Sequence, residues 1–189
     1  MARVPYLTKQ DLPPEHQDLL ESKLNLRKAL VNSPRAARAS SQVAMFIRHH
    51  SRLDPRLREM ALLQVGYLTR CAYEYAHHIE LGRQFGVSDD DIRAIAKESA
   101  GESTHLPALD RAVLRAAREM TADLAISDST FEILRQHLDP ERLVDLVTAI
   151  GHYNGTARTL LSLQIDLEED YRHYLDEFPL PATHLPKPT

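Results

Sequence analysis

The sequence predicts an all-α domain, and three observations carry that prediction. Apolar residues recur at helical spacing in almost every segment of the 189-residue chain. Helix-start signals, Asp-Pro and Ser-Asp-Asp-Asp, precede several of these stripes. Alternating β-branched runs are few, so strands have little support. With 43% hydrophobic and 26% charged residues, the chain can bury a core as one globular domain, assigned to residues 1–178. Residues 179–189 hold Pro179, Pro181, Pro186 and Pro188 and read as an extended tail.

In chain order, a first helix is expected over 13–26, entered through Pro13 and Pro14. Ala36, Ala39, Val43, Phe46 and Ile47 form the next stripe, which ends in the polar "RHHS". In "LDPRL", Asp54 can cap and Pro55 suits the first helical position; Leu57, Met60, Ala61, Val65 and Leu68 continue that helix. A helix from about Thr69 to Phe85 follows, with Gly86 as its stop. "VSDDDI" starts another, with Ser88 as cap and Asp91 completing a capping box. After the polar loop "KESAGESTH" comes the cleanest stripe: Leu106, Leu109, Val113, Ala116, Ala117, Met120 and Leu124. A short helix over 127–137 precedes "LDPERL", which opens a long one carrying Leu143, Leu146, Val147, Ile150, Ala157 and Leu161. "EED" at 168–170 reads as a charged helix face.

Chemistry concentrates in "RCAYEYAHH", residues 70–78, which holds the only cysteine. If 70–84 is one helix, Cys71, Glu74 and His78 share a face, while His77 points roughly 100° away from His78. His78 is then the better partner for the thiol and His77 the spare. Thr69 as cap would put Cys71 in the first turn, where the helix dipole favours a thiolate. Glu74 works against it by charge. Two readings stay open: a reactive thiol with its own acid/base set, or a small buried residue beside a polar pair. Cys71, Glu74 and His78 are possible metal ligands, but no recognised zinc spacing is present, so neither metal nor cofactor is expected. Glu59 lies roughly 18 Å from Cys71 along an unbroken helix, and joins the cluster only if the helix breaks near Gly66 to Thr69. In "GHYNGTAR", Gly151 and Gly155 would permit a close helix crossing or a subunit contact. His152 and Tyr153 are candidates for a pocket wall opposite Cys71, and His77 is a further substrate-pocket candidate.

The stretch "LREMALLQVGYLTRCAYEYAHHIELGRQFGVSDDDIRAI", residues 57–95, resembles the core of the carboxymuconolactone decarboxylase family, which includes alkylhydroperoxidase D. The family pattern is a glutamate, eleven residues, then Cys-x-x-Cys-x-x-x-His. Here Glu59, Cys71 and His78 match it, and Glu74 stands where the second cysteine belongs. "AIGHYNGTARTL" is also similar to the family. The resemblance implies an alkylhydroperoxidase D-like helical bundle, assembled as a homo-oligomer, often a trimer or hexamer. In the peroxidase branch a cysteine pair reduces a hydroperoxide while the glutamate and histidine relay protons. With Glu74 in place, no disulfide can form within the motif. The leading expectation is a one-cysteine oxidoreductase, with Cys71 oxidised to a sulfenic acid, an external thiol as reductant, and His78 and Glu59 as relay. The alternative is a lyase in which Glu59, Glu74 and His78 do acid/base work on a carboxylated lactone, with Arg70, Arg83 and Arg158 as candidate anion-binding groups. A third reading is a non-catalytic helical oligomer in which the cluster is structural.

The formal net charge of -4 and the scattered basic residues give no nucleic-acid footprint. No apolar run approaches the roughly 20 residues of a membrane span. "MARVPYLTKQDLPP" lacks the apolar core of a secretory signal, and a single cysteine suits a reducing compartment, so a cytoplasmic location is expected.

Overall fold

Asp54 and Pro55 start the helix around which the rest of the protein is arranged. The structure is a computed structural model, and it describes residues 2–182. Its α-helices are α1 (Asn25–Leu30), α2 (Pro34–His49), α3 (Pro55–Thr69), α4 (Ala72–Gln84), α5 (Asp89–Ser99), α6 (Ala108–Ala122), α7 (Asp128–His137), α8 (Pro140–Leu163) and α9 (His173–Glu177). No strand occurs among the described residues. The Asp54 carboxylate accepts from the Leu57 amide, and Asp139 does the same for Arg142 at the start of α8. Ser88 and Asp91 complete the expected capping box of α5.

Helix α3 is buried from Leu57 to Tyr67 and packs on α4, α5, α6 and α8. On one side, Ala61, Leu62 and Val65 meet Val113, Ala117, Leu146 and Ile150 of α6 and α8. On the other, Met60, Leu63 and Tyr67 meet Tyr75 and Ile79 of α4, Ile92 and Ile95 of α5, and Phe178. Each fully buried aliphatic side chain contributes about 1.5–3 kcal/mol, so these two contacts fix α3 as the axis. A third cluster joins Ala29 of α1, Cys71, Tyr73, Ala157, Leu160 and Ile165.

Four helices end in the same way, with a left-handed residue after the last turn and two hydrogen bonds that close it. Gly86 (φ 88°) and Gly101 (φ 78°) serve α4 and α5. Gln164 (φ 51°) serves α8 and Arg70 (φ 55°) serves α3. At the α3 stop, the Cys71 amide donates to Gly66 O at 3.0 Å and the Arg70 amide to Tyr67 O at 3.2 Å. The chain therefore reverses at Arg70, and α4 returns along α3. Thr69 is the last residue of α3 rather than a cap, and the N-cap of α4 is Cys71, without a side-chain cap hydrogen bond.

Other expectations are corrected by where the core lies. The segment 13–26 is not one helix: Pro14–Leu20 winds as a 3-10 helix, residues 21–24 are non-helical, and α1 begins at Asn25. Only Leu20 of that 3-10 turn is buried, too little apolar area to hold a longer helix. In α2 the buried residues are Ala37 and Ile47, whereas Ala36, Ala39, Val43 and Phe46 face outward. Ala37, Ala44 and Ile47 form a parallel stripe with the same period, and period alone cannot choose between the two faces. Leu124 (82% exposed), Val147 and Leu161 also lie outside the core. A Cβ on Gly151 or Gly155 would meet nothing within 4 Å, so neither sits at a helix crossing among the described residues. Helix α5 extends through Lys97, Glu98 and Ser99 into the expected loop. The tail residues 183–189, with Pro186 and Pro188, lie outside the described residues; Leu180 packs against Phe178 and its neighbours. No described helix is long and apolar enough to cross a membrane.

Candidate active site

The reversal at Arg70 brings α4 back beside the first turns of α3, and this is what joins Glu59 to the motif. Glu59 Oε2 lies 2.6 Å from His78 Nδ1, and His78 Nε2 lies 3.3 Å from Glu74 Oε2. All three side chains are buried. With a carboxylate at each ring nitrogen, the protonated ring donates on both sides. Burial works against the charged ring, but Glu59 and Glu74 outweigh it and lift its pKa to about 9. Burial also works against the Glu59 carboxylate; His78 and then Arg58 overcome it and hold its pKa below the usual value. Arg58 Nε donates to Glu59 Oε1 at 3.0 Å, and Arg58 Nη1 reaches the carbonyls of Ile47 and Arg48 at the end of α2. The guanidinium lies over the Phe85 ring, 4.8 Å from its centroid.

In front of His78 is a cavity of about 140 Å³. Its walls are Leu26, Arg27 and Leu30 of α1; Ser41, Met45 and Arg48 of α2; Glu74, His77, His78 and Leu81 of α4; and His152, Tyr153 and Thr156 of α8. The Tyr153 ring meets His78 edge-on, 4.8 Å between centroids, and His152 meets Tyr153 at 5.5 Å. Burial lowers the His152 pKa, with Glu74 pulling the other way. So His152 and Tyr153 do form a wall, but they face His78 and Glu74 rather than Cys71.

Cys71 does not line this cavity. It is 1% exposed, among Ala29, Tyr73, Ala157, Leu160 and Ile165. Burial pushes its thiol up to about 12; the Glu74 charge adds to this, while the Glu74 and Tyr73 amides pull the other way. His78 gives its nitrogens to Glu59 and Glu74, so the expected pairing of His78 with the thiol does not form.

His77 is occupied too. Its Nε2 lies 2.8 Å from Glu168 Oε2, and its ring stacks between Tyr73 and Tyr171. Glu168 Oε1 accepts from the Asn25 amide at 2.6 Å and from the Tyr73 hydroxyl at 2.9 Å. The "EED" segment is therefore no plain charged face: Glu168 ties the start of α1 and the segment after α8 to α4. A carboxylate followed by two more gives no signal of this, because its partners lie more than ninety positions away. The arginines named from the sequence lie elsewhere. Arg70 is exposed at the α3 stop, Arg83 pairs with Asp89 and Glu177, and Arg158 donates to Asn154. The cavity arginines are Arg27 and Arg48: the sequence reading passes over Arg27, and takes Arg48 only as part of the polar helix end "RHHS".

Residues 34–120 match the carboxymuconolactone decarboxylase family. No curated protein matches the chain. Among solved structures, the chain is similar to a peroxidase-related protein with an alkylhydroperoxidase AhpD core from Ralstonia eutropha JMP134. The two share 18% identity at a TM-score of 0.77, covering 95% of this chain and 98% of that one. It is similar to a putative antioxidant defence protein AhpD from Agrobacterium tumefaciens, with 24% identity, a TM-score of 0.65, and coverage of 74% and 94%. It is also similar to the debrominase Bmp8, solved as a cysteine-to-alanine variant in complex with 2,3,4-tribromopyrrole, with 17% identity, a TM-score of 0.77, and coverage of 93% and 96%. At these identities the likeness establishes a shared helical fold. Residues 34–120, which hold Glu59, Cys71, Glu74 and His78, thus match the carboxymuconolactone decarboxylase family, on a chain whose all-α fold is similar to that of the AhpD-like proteins.

Proposed function

We propose that this protein is a general acid–base enzyme acting on a small carbon acid, in a decarboxylase- or isomerase-type reaction that does not use its thiol. The observation that carries this reading is the buried chain Glu59–His78–Glu74, which ends at a cavity that Cys71 does not line. His78 holds a proton at neutral pH and is the acid. Glu59, itself held by Arg58, stabilises the imidazolium from behind. Glu74 sits at the cavity wall, where it orients the second ring nitrogen and faces the substrate. In a decarboxylation, the bond to the leaving carboxylate breaks and carbon dioxide departs. The electron pair left on carbon then takes the His78 Nε2 proton by way of the Glu74 carboxylate, and solvent restores it. Such positioned proton transfer is worth about 10²–10⁴-fold in rate.

A one-cysteine peroxidase would instead need the Cys71 thiolate at the substrate. The family motif and the peroxidase-related relatives favour that chemistry, but the apolar packing of the sulfur opposes it. The two readings separate in one set of assays. A carboxylated lactone, and an organic hydroperoxide with a dithiol reductant, are each offered to the wild type, His78→Asn and Cys71→Ser. The acid–base reading expects lactone turnover that falls at least about 10²-fold in His78→Asn and survives in Cys71→Ser. It also expects Cys71 to resist maleimide labelling until the protein is unfolded. Rapid labelling of the folded protein, with hydroperoxide turnover lost in Cys71→Ser, would establish the thiol reading instead.

A further inference from the structure

The geometry points to an anion-binding subsite between Arg27 of α1 and Arg48 of α2, on the wall of the cavity that His78 and Glu74 line, where it takes the oxyanion of a ring-sized organic acid. This rests on the proposed acid–base reading for the identity of the reacting end, and it adds the residues that anchor the anionic group of the substrate.

The first support is charge. Both arginines line the cavity, yet neither forms an ion pair with a described residue. The carboxylate that lines this cavity and those that brace its wall are already taken. Glu59 is held by Arg58 and His78, Glu74 by His78, and Glu168 by His77, Tyr73 and the Asn25 amide. Asp18, in the larger cavity that adjoins this one at Arg27, is bound by Arg38. The Arg27 guanidinium donates to the Ser41 hydroxyl, a neutral partner that fixes its direction without compensating its charge. Burial disfavours that charge, and the nearby Arg48 adds like-charge repulsion. Two guanidiniums on the wall of one cavity, without a counter-charge among the described residues, are relieved by an anion between them.

The second support is size. A cavity of about 140 Å³ is close to the roughly 150 Å³ that admits a benzene molecule. Leu26, Leu30 and Leu81 offer apolar surface to a ring, while the arginines and His78 offer charge to its substituents. The third support is origin. Arg27 lies outside residues 34–120 and Arg48 inside them, so the segment that matches the family supplies only one of the two arginines. An oxyanion anchored by the two arginines would fix the rest of the ligand relative to His78.

Benzoate and benzamide are suitable probes, since they match in size and differ in charge. Calorimetric titration and thermal unfolding would be run with both on the wild type, Arg27→Gln, Arg27→Lys and Arg48→Gln. Benzoate is expected to bind and to raise the unfolding temperature, less so at high salt, while benzamide does neither. Each glutamine variant is expected to weaken benzoate on the order of tenfold, and Arg27→Lys to retain part of the affinity. Arg48 is exposed, so Arg48→Gln provides a folded variant even if Arg27→Gln does not. Equal binding of benzamide and benzoate, or benzoate binding indifferent to both glutamine substitutions, would overturn the subsite. These binding readouts do not depend on turnover. If arginine-dependent benzoate binding holds while lactone turnover is unchanged in His78→Asn, the subsite stands and the acid–base reading falls. If turnover needs His78 while benzoate binding ignores both arginines, the subsite falls and the acid–base reading stands.

Discussion

Glu59 and His78 are nineteen positions apart in the chain and 2.6 Å apart in the structure, and the left-handed Arg70 is what closes that distance. The pair is buried, so each partner supplies the counter-charge that makes burial of the other tolerable.

Stability should follow this pair with pH. The folded pKa of His78 is raised from 6.5 to about 9. Its contribution is therefore fully present below about pH 6.5 and is lost as pH rises through about 9. Glu59 is shifted the other way, so its contribution is present above its ordinary value of 4.5 and is lost as pH falls. Urea unfolding of the wild type should show highest stability between those limits and a decline from pH 7 to 9. His78→Gln should remove most of that decline and cost on the order of 3 kcal/mol at pH 6. A wild-type stability flat across this range would show that the pair contributes nothing.

Gly66 sets how closely α3 and α4 approach. A Cβ there would lie 3.1 Å from both the Cα and the N of Tyr75, and backbone atoms cannot rotate away. Gly66→Ala is expected to cost about 1–3 kcal/mol as overpacking. The displaced α4 should also lengthen the Glu59–His78 contact, so the His78 titration seen by NMR should move down from about 9. An alanine variant with unchanged melting temperature and unchanged His78 titration would contradict this.

Glu168 holds the outer wall of the cavity. Replacing it with Gln removes its charge from His77, Tyr73 and the Asn25 amide, with an expected loss of about 1–3 kcal/mol. Hydrogen exchange over residues 24–30 should speed up. Burial opposes the Glu168 charge, but His77 and the Asn25 amide lead the groups that hold its pKa down at about 2. The tie is therefore present above about pH 4.5 and is lost as pH falls toward 2. Exchange over 24–30 that matches the wild type would mean that α1 is held by other contacts.

The sequence by itself determined the helical class and the starts at Asp54, Ser88 and Asp139, because a cap needs only its own carboxylate or hydroxyl and the amides two or three residues on. It also located Glu59, Glu74 and His78 as a set, through their spacing and the family resemblance. Tertiary structure decided whether they meet. The α3 stop uses Arg70 where glycine is the usual signal, and a left-handed arginine costs roughly 1–2 kcal/mol that only the packing of α4 on α3 offsets. The environment of Cys71 was equally illegible, because it comes from Ala29, Ala157, Leu160 and Ile165, all distant in the chain. Arg27, Arg48 and Glu168 carry no local signal for the same reason: their positions become meaningful only when α1, α2 and the segment after α8 close around α4. Local hydrogen bonding writes helix starts into the sequence, whereas burial, pKa and the walls of a cavity are properties of neighbours that the chain brings together only by folding.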